Sequence, residues 1–152
     1  MELDHQELIE FENIYRQVNR RMAIEWNKLL AHPLNGSQVY MLEKLESEGP
    51  QKSSGLAEAL GVTAGAVTGL SDKLIAAGLA ERIRTDEDRR VVFLAITEHG
   101  RKTLETVRET RLNIRKLFFK DLPADDIRHL TRIYRDILSI YESHKDEPLG
   151  GD

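Results

Sequence analysis

The stretch LAEALGVTAGAVTGLSDKLIAAGL, Leu56 to Leu79, has the apolar spacing of a helix-turn-helix. Ala57 is small where two helices must approach closely, and Gly61 supplies the turn. Val67, Leu70 and Leu74 pin a second helix onto the first. Thr63 is placed to cap that second helix, and Gly78 ends it. What stays free is its N-terminal end and one exposed face. A helix presented this way fits a DNA major groove, and its unpaired amides, with the Thr63 hydroxyl, can hold a phosphate. An ordinary pair of packed helices has the same spacing, so the flanking sequence has to decide.

On the C-terminal side the period changes. LAERIR (79–84) and VVFLAI (91–96) are β-prone runs, and TDEDRR lies between them as a polar tip. This predicts a β-hairpin. Arg82, Arg84, Arg89 and Arg90 lie on or beside it. A guanidinium on a protruding loop fits a narrow, electronegative minor groove. The adjacent Asp86, Glu87 and Asp88 can hold an arginine in one extended rotamer by a bidentate pair. A solvated charged turn with weak surface pairs is the plain alternative. Directly after a helix-turn-helix, the hairpin reads as a DNA-binding wing.

On the N-terminal side, Ser53 or Ser54 is placed to cap the first short helix. Before it, a helix starts at about Asn35, with Gln38 completing a capping box, and turns Val39, Leu42 and Leu45 inward until Gly49-Pro50 stops it. Further out, Leu8, Phe11, Tyr15, Val18, Met22, Trp26 and Leu29 form one stripe on a long helix that Pro33 ends. After the wing, Thr97 caps a long helix lined by Leu104, Val107, Arg111, Ile114 and Phe118, with Glu98 in its first turn. Asp121-Leu122-Pro123 breaks the chain before a last helix showing Ile127, Leu130, Tyr134, Ile137 and Tyr141. Residues 146–152 read as a flexible tail. The expected fold is mostly α with a small β-hairpin wing. A long single stripe needs a partner surface, in the same chain or in another.

The residues from Leu34 to Gly100 resemble the MarR-type winged-helix regulators. The matching pieces are LNGSQ, LAEALGVTAGAVTGLSDKL, AAGLAERI and TDEDRRVVFLAITEHG. The D-x-R element fits at Asp88 and Arg90, and Leu94 to Gly100 fits L-x-x-T-x-x-G. The flanking long helices agree in plan, so the resemblance covers nearly the whole chain. It implies one winged helix-turn-helix domain over residues 1–145. Within it, the winged helix covers about 34–100, the helix-turn-helix about 53–76 and the wing about 79–96. The dimerisation helices fall at about 5–32 and 98–145. It implies a homodimer on a pseudo-palindromic double-stranded DNA operator with half-sites about 10 bp apart. Most such proteins are repressors released by a small ligand.

Carried onto this chain, the resemblance places Thr63, Ala64, Gly65, Ala66, Thr68, Gly69 and Lys73 on the reading helix. It implies Arg90 in the minor groove with Asp88 holding it; Ser53, Arg84 and Arg89 join as further DNA-contacting candidates, Arg89 beside Arg90 in the minor groove. The chain departs from the family pattern in three ways. TAGAVTG is poor in long polar side chains, so direct base readout is sparse, and backbone approach and DNA shape carry more of the specificity. Gly55 stands where the family often has Glu, which loosens the first short helix by up to about 1 kcal/mol relative to Ala. No Cys is present, so peroxide sensing through cysteine is excluded.

Composition bounds the rest. The chain has 152 residues, 40% hydrophobic and 32% charged, which fits one mixed-charge globular domain. Its net charge of -4 argues against a uniformly basic nucleic-acid binder. The charge is uneven: residues 1–51 hold 5 Lys/Arg against 9 Asp/Glu, and residues 52–102 hold 8 against 7. No run of about 18 apolar residues suggests a membrane span, and MELDHQELIE lacks a signal core, so a cytoplasmic address without membrane partners is expected. His5, His32, His99, His129 and His144 form no HxxxH. No phosphate loop and no GxSxG occurs, so neither an enzyme, a cofactor nor a metal is expected. Met22, Trp26, Tyr40 and Met41 could line a pocket for a small aromatic or phenolic ligand, although such residues are more often core. Two rival readings are a helical module whose winged helix binds protein, and a metal-responsive regulator using histidines across a dimer. Steep salt dependence separates DNA binding from the first, and metal analysis tests the second.

Overall fold

The computed structural model describes residues 4–30 and 34–147. Along them run α1 (His5–Leu29), α2 (Gly36–Glu48), β1 (Gln51–Lys52), α3 (Ser53–Leu60), α4 (Ala64–Ala76), β2 (Ala80–Arg84), β3 (Val92–Ile96), α5 (Glu98–Phe119) and α6 (Ala124–His144). The mostly helical plan with a β wing matches the expectation from sequence. The chain divides into two compact units, Met1–Ile114 and Arg115–Asp152. The expected helix stop at Pro33 and most of the expected tail lie outside the described residues.

The first unit is built round one apolar core. α2 supplies Val39, Met41, Leu42 and Leu45, α3 supplies Leu56, and α4 supplies Val67 and Leu74. Leu79, Leu94, Ile96, Leu104 and Val107 close it from the wing and α5. The Asn35–Gln38 capping box is present and starts α2. Half-buried Lys44 bonds the exposed Glu48 one turn on, and that hydrogen bond holds the lysine above its usual range.

Two left-handed glycines fix the helix joints. Gly61, at φ +65°, ends α3. Its N–H donates to Glu58 O, and the Val62 N–H donates to Ala57 O. Gly78, at φ +72°, ends α4 in the same manner, with its own N–H on Ile75 O and the Leu79 N–H on Leu74 O. This double bond pattern satisfies carbonyls left open by the helix end, and a side chain with a Cβ would be strained at either glycine. Leu74 and Leu79 are both buried, which adds the apolar contact usual to this joint.

The L-x-x-T-x-x-G element now has a physical meaning. Leu94 is core. The Thr97 hydroxyl donates to Gly78 O at 2.6 Å and accepts the Gly100 N–H at 3.0 Å. One side chain thus caps α5 and clamps it to the end of α4. Gly100 lies where the α5 backbone meets the chain at Leu79: a Cβ there would collide with the Leu79 carbonyl oxygen.

The sheet has the order β1-β3-β2, all antiparallel. β2 and β3 form the expected hairpin, from Ala80↔Ile96 to Arg84↔Val92. β1 is an addition to the expected elements. It pairs Gln51 with Leu94 and Lys52 with Phe93, and so fastens the start of α3 to the wing sheet. Two residues after a proline carry no period that sequence reading could detect. Because α3 begins at Ser53, its N-cap is Lys52, which makes no side-chain capping bond, and neither Ser53 nor Ser54 caps it.

The long stripes divide into two kinds. In α5, Leu104 and Val107 belong to the core of this chain rather than to a dimer face, with Ile114 also buried. Arg108 pairs with Glu46 at 3.1 Å, and Arg111, the polar break in the stripe, pairs with Glu43. α1 and α6 contain no buried residue. Phe11, Tyr15 and Val18 of α1 are exposed, as are Leu130, Tyr134, Ile137 and Tyr141 of α6. No helix among the described residues is long and apolar enough to cross a membrane.

Candidate nucleic-acid interface

α4 turns Val67, Ser71 and Leu74 into the core, which leaves Ala64, Gly65, Ala66, Thr68, Gly69, Asp72 and Lys73 exposed. Thr63 is the N-cap, and its Oγ1 accepts the Ala66 N–H at 3.2 Å. The Thr68 hydroxyl donates to Ala64 O at 3.1 Å. That spends its proton on the helix and leaves a methyl and an oxygen acceptor facing out. Gly65 and Gly69 have ordinary helical φ, and a Cβ at Gly69 would meet nothing within 4 Å. The fold therefore does not require glycine at either position. Two glycines in the outward face let the backbone approach whatever the helix meets. Ser53 is exposed at the first turn of α3.

The wing contributes the charge. Every residue from Thr85 to Arg90 is exposed. The Asp88 carboxylate accepts the backbone N–H of Arg90 at 3.0 Å. It therefore shapes the turn; the expected ion pair to the Arg90 guanidinium is not formed. Local spacing explains the choice: a carboxylate two residues before an amide closes a short hydrogen-bonded ring more readily than it reaches a long side chain. Thr85 Oγ1 and Val91 N–H add bonds to Asp88. Arg84 donates from Nη1 to the Arg89 carbonyl at 2.6 Å. Among the described residues, no carboxylate lies within ion-pair distance of Lys73, Arg89 or Arg90.

One pair escapes sequence reading. Arg82 Nη2 lies 2.5 Å from Asp72 Oδ1, joining β2 to the exposed face of α4. Ten residues separate the two in sequence. No helix or strand period links such positions, so only the fold reveals the contact. Lys52 places its ammonium 5.8 Å from the centre of the Phe93 ring, across the β1–β3 ladder.

The four expected ligand residues have different fates. Met41 is fully buried in the core, whereas Tyr40 beside it is 41% exposed. Met22 and Trp26 are half-buried, and the Trp26 indole donates to Leu34 O at 2.7 Å. An open groove along α1, lined by Gln6, Ile9, Glu10, Asn13 and Ile14, includes none of the four. Among the described residues, no group of three or more His, Asp or Glu could hold a metal ion. His32 lies outside them.

Against this geometry, the profile of the MarR family matches residues 34–92. The HTH-type transcriptional regulator YpoP of Bacillus subtilis is 32% identical over 120 residues, which span 79% of this chain and 83% of that protein. The HTH-type transcriptional repressor MdtR of the same organism is 27% identical over 113 residues, covering 74% of this chain and 73% of that protein. Among solved structures, a mutant MarR of E. coli, complexed with operator DNA, superposes with a TM-score of 0.71 at 23% identity. That superposition covers 90% of this chain and 99% of the other, and it carries the fold.

Proposed function

The chain belongs to the MarR family of winged helix-turn-helix transcriptional regulators, and from that premise we propose that it is a homodimeric repressor of a pseudo-palindromic operator. The family is one of DNA-binding regulators, so the chain is not an enzyme. In the proposed complex α4 enters the major groove, with Ala64, Gly65, Ala66, Thr68 and Gly69 against the bases and Thr63, Lys73 and Ser53 near phosphates. Arg89 and Arg90 reach the adjoining minor groove. The observation that carries this reading is the exposed, N-capped face of α4, joined by the Asp72–Arg82 pair to a wing whose tip arginines have no carboxylate partner. The repressor role is supported by the likeness to MdtR, and a cytoplasmic address follows from a chromosomal target.

The dimer is proposed from the apolar residues that α1 and α6 leave in solvent. Faces of that kind mark interaction surfaces. Ligand release is proposed through Met22, Trp26 and Tyr40 and a small aromatic acid, with Met41 acting only as core. Titrating the protein with a series of aromatic acids while following Trp26 fluorescence tests it, and no response to any of them, in fluorescence or in DNA release, counts against that ligand class.

The main test is selection of binding sites from a random duplex pool, followed by salt titration of the best site. An enriched inverted repeat with half-sites about one helical turn apart, bound more weakly as salt rises, is the expected result. No enrichment from the pool would reject the operator reading in favour of protein contacts.

A further inference from the structure

We propose that Arg84 is a positioning residue for DNA binding: it braces the wing tip through the Arg89 carbonyl, so that Arg89 and Arg90 project at a fixed angle. The inference rests on the wing reading above. Arg82 and Arg84 are two residues apart on β2 and share one face of the strand. Arg82 is tied to Asp72 of α4, and Arg84 is tied to Arg89 at the far side of the loop. One strand face therefore sends two contacts in opposite directions, one to the reading helix and one to the tip.

The loop needs such a brace. The strands stop pairing at Arg84↔Val92, so residues 85–91 hang beyond the ladder. The bonds that the loop makes within itself are local: Thr85 with Asp88, Asp88 with Arg90, and Val91 with Asp88. Local bonds shape a turn but do not aim it relative to the strands. The Arg84–Arg89 bond does, because one partner lies in the ladder and the other in the loop. A guanidinium has five donors in a rigid fork, which suits it to hold a carbonyl in one direction. A loop aimed beforehand loses less freedom on binding, which is how such a contact raises affinity without touching DNA.

The test is a double-mutant cycle on the selected operator duplex, read by fluorescence anisotropy at one salt concentration. The proteins are wild type, Arg84→Ala, Arg89→Ala/Arg90→Ala, and the triple variant. Arg84→Ala should weaken binding about fivefold, the worth of one net hydrogen bond. In the background lacking both tip arginines, the same change should matter by less than about twofold. If the Arg84 effect multiplies in full in that background, Arg84 contacts DNA itself and the brace is refuted, while the wing reading stands. If Arg89→Ala/Arg90→Ala binds like wild type, the wing reading falls and the brace with it. A second readout needs no DNA: trypsin should cut at the tip faster in Arg84→Ala at unchanged Tm. Equal cutting rates would overturn the proposal.

Discussion

Replacing Gly100 and Gly69 by alanine in separate variants asks the same chemical question of two helices and should give opposite answers. Both glycines lie within helices at ordinary φ, so each variant gains up to about 1 kcal/mol in helix propensity. At Gly69 the new methyl enters open space, and the gain survives. At Gly100 it would overlap Leu79 O and stand 2.7 Å from Ile96 Cγ1. The oxygen is backbone and already holds the Thr97 N–H at 3.1 Å, so it cannot swing aside. Forcing a methyl into a filled site costs about 1–3 kcal/mol, toward the upper end where backbone must move. Gly100→Ala should therefore be less stable than wild type by about 2 kcal/mol, and Gly69→Ala more stable by about 0.5–1 kcal/mol. Urea unfolding at one fixed protein concentration measures both, since the stability of the proposed dimer varies with concentration. A Gly100→Ala protein as stable as wild type would refute the close approach of α5 to Leu79. With it would go the account of the L-x-x-T-x-x-G element.

Arg90→Ala should weaken operator binding by about 1–3 kcal/mol in an intact dimer, read by anisotropy; unchanged affinity would reject the minor-groove role. Ser71 keeps a buried hydroxyl with no hydrogen-bond partner on the core side of α4. Ser71→Ala should be more stable by about 1 kcal/mol in urea unfolding with DNA affinity unchanged; a loss of stability would mean that the hydroxyl has a partner. Ile137 lies on the exposed stripe of α6, so Ile137→Glu should yield a folded monomer by sedimentation; a dimer of unchanged strength would move the interface elsewhere.

How far a sequence can be read depends on the range of each signal. The helix-turn-helix is legible because Val67, Leu70 and Leu74 repeat at helical spacing and two glycines mark the joints. The stripe on α5 is legible as a stripe but not as to its partner. Periodicity shows which face is covered and is silent about what covers it. Leu104 and Val107 face the core, with Arg108 and Arg111 held by α2. Met41 reads as a ligand candidate because methionine beside an aromatic suits either role; burial assigns it to the core. Asp88 sits in the expected turn but meets a different atom. An acid two residues from an arginine can meet either its side chain or its amide, and the shorter ring wins. β1 and the Asp72–Arg82 pair depend on positions far apart in the chain, where no local pattern exists.

A net charge of -4 leaves open how this chain binds a polyanion, and the placement of its charges answers with a number. Several acids are already met within the fold: Glu43 and Glu46 by α5, Glu48 by Lys44, and Asp72 by Arg82. That last pair also removes Arg82 from the free cations of the interface. From β1 through the helix-turn-helix to the end of the wing, the cations left without a carboxylate or carbonyl partner are Lys52, Lys73, Arg89 and Arg90. The proposed dimer presents each of them twice. Each phosphate neutralised contributes about 0.9 to the slope of log K against log salt, so the slope should not exceed about -7 in steepness. Arg89→Ala/Arg90→Ala should make it shallower by about 3 to 4. Titrating the selected operator between low and physiological salt gives both values. A wild-type slope steeper than about -7 would mean that cations outside these elements reach the duplex. A slope left unchanged by the double variant would mean that the tip arginines meet no phosphate environment at all.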